Sequence, residues 1–155
     1  MTKIEARPAV ERESVHPSIT AEQISTLVDQ FYGEVRANPR LAPLFSLHMS
    51  GDWDVHLDKM KGFWRSVLLK SGEYKGRPVP VHLQMGNIES DDFEEWLRLF
   101  CMVSSRVFSK GASAVVNEAA RRIATSLWLS RSSDPFVSPP AWSHTSISPI
   151  HQSAS

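Results

Sequence analysis

Four segments of the chain repeat their apolar residues every three or four positions, and none sustains an alternating pattern. That period belongs to helices that each bury one stripe, so it confines the chain to an all-α fold packed from amphipathic elements. The first stripe runs Ile24, Leu27, Val28, Phe31 and Val35, with Tyr32 on its edge. Its start is written in "SITAEQI": Thr20 and Gln23 match a capping box, and Ile19 with Ile24 a hydrophobic staple. Asn38-Pro39 ends it, because a residue before proline is pushed out of the helical region. "LAPLF" is then expected to turn the chain and supply Leu41, Leu44 and Phe45.

The second stripe holds Trp53, His56, Leu57, Met60, Trp64, Val67 and Leu68, with Asp52 as its expected cap and Phe63 two turns along from His56. "SGEYKGRPVP" reads as a loop by its glycines and prolines. The short run "VHLQMG", with His82, has room for only a turn or two of helix. "ESDDFEEW" puts acidic residues at a helix start, where the macrodipole favours them. Phe93, Trp96, Leu97, Phe100 and Val107 form that helix's stripe, and Lys110-Gly111 is expected to end it. The last stripe runs Ala112, Val115, Val116, Ala119, Ile123 and Leu127 up to Trp128 and Leu129.

With 155 residues there is room for one domain. Residues 1–17 mix charges with two prolines, and residues 130–155 contain nine Ser and four Pro, so neither end can build a core. The expected organisation is a disordered extension over 1–17, a folded domain over 18–130 and a disordered Ser/Pro-rich tail over 131–155, in which Phe136, Trp142 and Ile147 are the residues able to dock. Seventeen basic residues balance seventeen acidic ones, which leaves no field to hold nucleic acid or an anionic membrane. The charged N-terminus does not fit a signal peptide, no stretch approaches a membrane span, and Cys101 stands alone, so a cytoplasmic protein is expected.

Phosphate loops, H-E-x-x-H, C-x-x-C and G-x-S-x-G are all missing from the sequence. Of six histidines, His16, His144 and His151 lie in the expected tails and His48 in an expected loop. His56 and His82 differ, being embedded among large apolar side chains on two separate segments that could face each other across a pocket. A buried imidazole must find a hydrogen-bond partner or a ligand. A Phe- and Trp-rich pocket between helices suits a flat apolar cofactor, and a single histidine is the protein ligand that haem iron takes in oxygen-binding folds.

Four runs carry a resemblance: "FY" at 31–32, "W..H...M..FW" at 53–64, "Y.G.P...H" at 74–82 and "F..WL.LF" at 93–100. In this order they resemble the truncated haemoglobins, and among them the third group, over roughly Thr20 to Arg131. The resemblance implies a two-over-two helical sandwich around haem b. Carried over by motif, it implies His82 as the proximal iron ligand, Tyr32 as the distal tyrosine, His56 as the distal-side histidine and Trp96 as the distal-side indole. Phe63 and Trp64 would line the haem cleft. The full cofactor-binding set is Phe31, Tyr32, Phe45, His56, Met60, Phe63, Trp64, Tyr74, His82 and Trp96, with Tyr74 in a structural role. Cys101 reads as a small buried hydrophobe.

Three functions follow. The leading one is a haem protein that binds O2 or another diatomic ligand at iron, with Tyr32, His56 and Trp96 setting the off-rate. The second is an enzyme in which the same groups serve peroxidase-like or NO-dioxygenase-like chemistry with an external reductase as partner. The third is a haem-free helical interaction module in which His56 and His82 are core residues.

Overall fold

The computed structural model describes residues 15–48, 53–72, 88–130 and 140–144, and the side chains of all of these except 46–48. Among the described residues every regular element is helical: α1 over Ala21–Ala37, α2 over Ala42–His48, α3 over Trp53–Leu68, α4 over Ser90–Val107, α5 over Lys110–Ser130, and a single 3₁₀ turn over Ala141–Ser143. Helix α1 packs on α3 and α4 packs on α5, while α1 and α4 join the two pairs. The result is a two-over-two helical arrangement.

The expected start of α1 is present atom for atom. Thr20 Oγ1 accepts from the Gln23 N–H at 3.1 Å, and Gln23 Oε1 accepts from the Thr20 N–H at 3.0 Å. Ile19 and Ile24 are both buried beside it. Two otherwise unpaired donors of the helix end are thereby satisfied. Thr20→Ala is expected to lower stability by about 1 kcal/mol, read as a lower urea midpoint with an unchanged m-value.

Asn38 ends α1 in extended geometry and then builds the corner. Its Oδ1 accepts from the backbone N–H groups of Arg40 and Leu41, both at 2.9 Å, while its Nδ2 donates to Glu95 of α4 at 2.7 Å. Residues 42–48 are helical, where only a turn was expected, and His48 closes α2. Proline at position 43 permits this because the first helical turn needs no N–H from it.

Lys110-Gly111 opens α5 and does not end α4. The break falls at Phe108-Ser109: Phe108 is extended and its side chain is buried, and Ser109 Oγ accepts from the Ala112 N–H at 3.3 Å. A capping serine followed by a lysine and a glycine starts a helix as readily as a glycine stops one. Ser104 and Ser113 then hydrogen-bond across the buried α4–α5 seam at 2.9 Å.

Parts of both chain ends are packed. The Val15 N–H donates to the Leu68 carbonyl at 2.9 Å. Within the segment expected to be a disordered tail, Trp142 is only 5% exposed. Its ring stacks on Phe93 at 5.7 Å and its Nε1 donates to Ser90 Oγ at 3.0 Å. One tryptophan with an aromatic platform and a hydroxyl partner suffices to dock an otherwise polar segment. Trp142→Ala should destabilise the chain by about 1–3 kcal/mol, less than a deep-core tryptophan because a peripheral segment can detach without leaving a cavity. An unchanged denaturation midpoint would show that the docked turn adds nothing.

Candidate functional site

Helices α1 and α3 bring together the first half of the site. Tyr32 sits one turn before Arg36 in α1, and Trp53 one turn before His56 in α3. The Tyr32 and His56 rings meet edge to face at 5.0 Å and 87°. Trp53 touches both, at 6.1 Å from Tyr32 and 5.6 Å from His56, and the Arg36 guanidinium carbon lies 4.6 Å from the centre of the Trp53 ring. Phe45 closes on Tyr32 at 6.1 Å. Tyr32 is only 2% exposed, and burial pushes its phenol far above the ordinary tyrosine value, because the phenolate would be stripped of water. It is therefore a neutral hydroxyl across the physiological range.

The second half continues through Phe31. Its ring meets Trp96 at 5.2 Å and Phe100 at 5.3 Å, and Trp96 stacks on Phe100 at 5.6 Å. Phe100 lies 5.1 Å from Trp64, which meets Phe63 at 5.5 Å, so an aromatic wall runs unbroken from α3 through α4 to α1. In that wall the Trp96 indole N–H is buried and has no hydrogen-bond partner among the described residues. Leaving such a donor unsatisfied costs about 1–3 kcal/mol. Trp96 and Phe45 also face a small apolar cavity completed by Leu41, Ile88, Phe93, Ala124 and Leu127, with Asp92 at its margin.

Of the residues singled out in the sequence, the structure gathers Phe31, Tyr32, Phe45, His56, Phe63, Trp64 and Trp96 into this one network. Met60 is buried in the same core. Tyr74 and His82 lie outside the described residues. Cys101 is buried and its thiol is pushed up to about 12 by desolvation, as befits a packing residue. Three participants escaped the sequence reading of the site: Trp53 and Phe100, placed on stripes but not in the pocket, and Arg36. The spacing held a signal for Trp53 and Phe100, which lie three or four residues from a site residue on the same apolar stripe, but none for the exposed Arg36. Among the described residues no group of three or more His, Cys, Asp or Glu side chains could hold a metal ion, and no helix is long and apolar enough to cross a membrane.

Two helix pairs around a buried aromatic network that joins a tyrosine, a histidine and an indole are the arrangement of a globin-type protein. No protein-family model matches the chain. Among curated proteins, it is 32% identical over 111 residues to "Group 3 truncated hemoglobin ctb" of Campylobacter jejuni, covering 70% of this chain and 87% of that protein. The crystal structure of the group III truncated hemoglobin from Campylobacter jejuni superposes with a TM-score of 0.70 at 29% identity, over 76% of this chain and 95% of that one. The chain belongs to the truncated haemoglobin family, in its third group.

Proposed function

We propose that the chain binds haem b through His82 and receives O2 or another diatomic ligand in a pocket edged by Tyr32, His56 and Trp96. The observation that carries this reading is the buried Trp96 N–H with no partner among the described residues. A diatomic ligand carrying partial negative charge is an acceptor that would satisfy it. Membership of the truncated haemoglobin family supports the cofactor, and the aromatic wall suits a flat apolar macrocycle.

When bound, haem supplies an iron atom with one coordination position open to a small ligand. The protein's part is to shape what surrounds that position. His82 would be the protein's ligand to iron, and Phe31, Phe45, Met60, Phe63 and Trp64 would exclude water from the macrocycle. Tyr32 stays protonated, so its hydroxyl keeps a proton to donate and an oxygen to accept, while each ring nitrogen of His56 donates or accepts according to the tautomer. Three polar groups edging the proposed pocket would favour retention and polarisation of the ligand over rapid exchange, which points to peroxide or NO chemistry with an external electron donor rather than to transport.

The reading is tested by the reduced-minus-reduced-plus-CO difference spectrum of the full chain. His56→Ala should keep its haem and its CO-binding band, because no bond to iron is removed. Loss of haem from His56→Ala as complete as from His82→Ala would mean that both histidines ligate the iron and that His56 has no distal role.

A further inference from the structure

We propose that Arg36 and Trp53 form a latch that holds the His56 imidazole against Tyr32 and so limits solvent-side access to the pocket. The inference rests on the reading of His56 as a pocket residue. It starts from a two-by-two block: Tyr32 and Arg36 are one turn apart on α1, Trp53 and His56 one turn apart on α3. Trp53 is the member that touches all the others, at 6.1 Å from Tyr32, 5.6 Å from His56 and 4.6 Å from the Arg36 guanidinium carbon.

Trp53 is also the first residue of α3, and helix ends fray unless a side chain ties them down. Val55, in the same turn, is 51% exposed, whereas the half-buried indole packs on three neighbours. The indole therefore helps to anchor this end of α3. The exposed Arg36 lies over the indole, while the buried Tyr32 and the half-buried His56 meet the same ring. A planar guanidinium suits this place because it stacks on an aromatic face and carries a delocalised positive charge. Further along the same helix pair, Lys61 and Asp29 form an ion pair at 3.0 Å, which fixes the register of α3 on α1. His56 itself is half-buried, at the border between pocket and solvent. Whatever frees Trp53 should therefore let the imidazole leave Tyr32 and open the pocket mouth.

The test labels histidines of the intact chain with diethyl pyrocarbonate and reads each site by peptide mass spectrometry, with the exposed His144 as internal reference. Arg36→Met, which alters only an exposed side chain, should raise the His56 rate relative to His144 by about two- to fivefold, the range expected for an exposed cation–π contact. Arg36→Lys should fall between Arg36→Met and the native chain, and Trp53→Leu should exceed both. CO association after flash photolysis of the haem-loaded protein should quicken in Arg36→Met by a similar factor. Equal His56 labelling in the native chain and Arg36→Met overturns the latch, as does raised labelling with unchanged CO association. The labelling arm needs no haem, so a chain that lacks haem refutes the cofactor reading without touching this measurement.

Discussion

His82→Ala is expected to lose most of its haem during purification, while His144→Ala keeps the full complement. The proposed tether is one imidazole–iron bond, and the remaining contacts are apolar and shared with every flat hydrophobic molecule in the cell. Without that bond the aromatic wall still favours the macrocycle, but nothing fixes the iron or opposes exchange to other haem binders. The measurement is haem absorbance relative to protein absorbance in the purified variants, followed by addition of free imidazole to His82→Ala. Restored haem retention on adding imidazole would show that the missing group is the ligand itself. Unchanged haem content in His82→Ala would remove His82 from the iron and move attention to His56.

The second large effect concerns ligand release. Each net hydrogen bond in a dry site contributes about 1 kcal/mol, more where the site has low dielectric, so each donor lost should speed O2 release by about five- to tenfold. Tyr32→Phe and Trp96→Phe are the variants, since each keeps an aromatic ring and removes the donor. CO is less polar at its far end, and its release should change much less. That contrast separates a lost hydrogen bond from a loosened pocket, which would speed both. Because Phe31 touches both Tyr32 and Trp96, the double variant is not expected to be additive. Burial raises the Tyr32 phenol above its ordinary value, so its neutral form persists as pH rises, and the Tyr32→Phe effect should hold up to about pH 10. Equal O2 release from the native protein and both variants would mean that neither side chain reaches the ligand.

What could be read from the sequence follows how local the determining interactions are. Helix α1 was legible at both ends because the Thr20–Gln23 box and Asn38-Pro39 act within four residues. The α4–α5 boundary was misplaced because Gly111 carries a stop signal by itself, whereas the break is set by Ser109 capping and the buried Phe108. Residues 140–144 resemble disorder in composition, and their docking depends on Phe93 and Ser90, about fifty residues away in the chain.

The same distinction divides the site. Tyr32 and His56 lie on the apolar stripes of their helices, so periodicity alone puts them toward one core, and they meet at 5.0 Å. Trp96 is on the third stripe and reaches them through Phe31. Arg36 could not be found that way. An exposed arginine breaks no pattern, and its part emerges only when α3 is laid across α1 so that Trp53 comes beneath it. Composition likewise hid the Trp96 N–H that has no partner among the described residues: a tryptophan on a stripe is ordinary core until the surroundings of its N–H are known.

That this truncated haemoglobin holds haem is tested most directly by the visible absorption spectrum of the purified chain. The expected result is a red protein with a strong Soret band at stoichiometric haem, shifting when the reduced protein meets CO. A colourless protein that stays colourless after reconstitution with hemin would contradict it, and would leave His56 and Trp96 as core residues of a helical module.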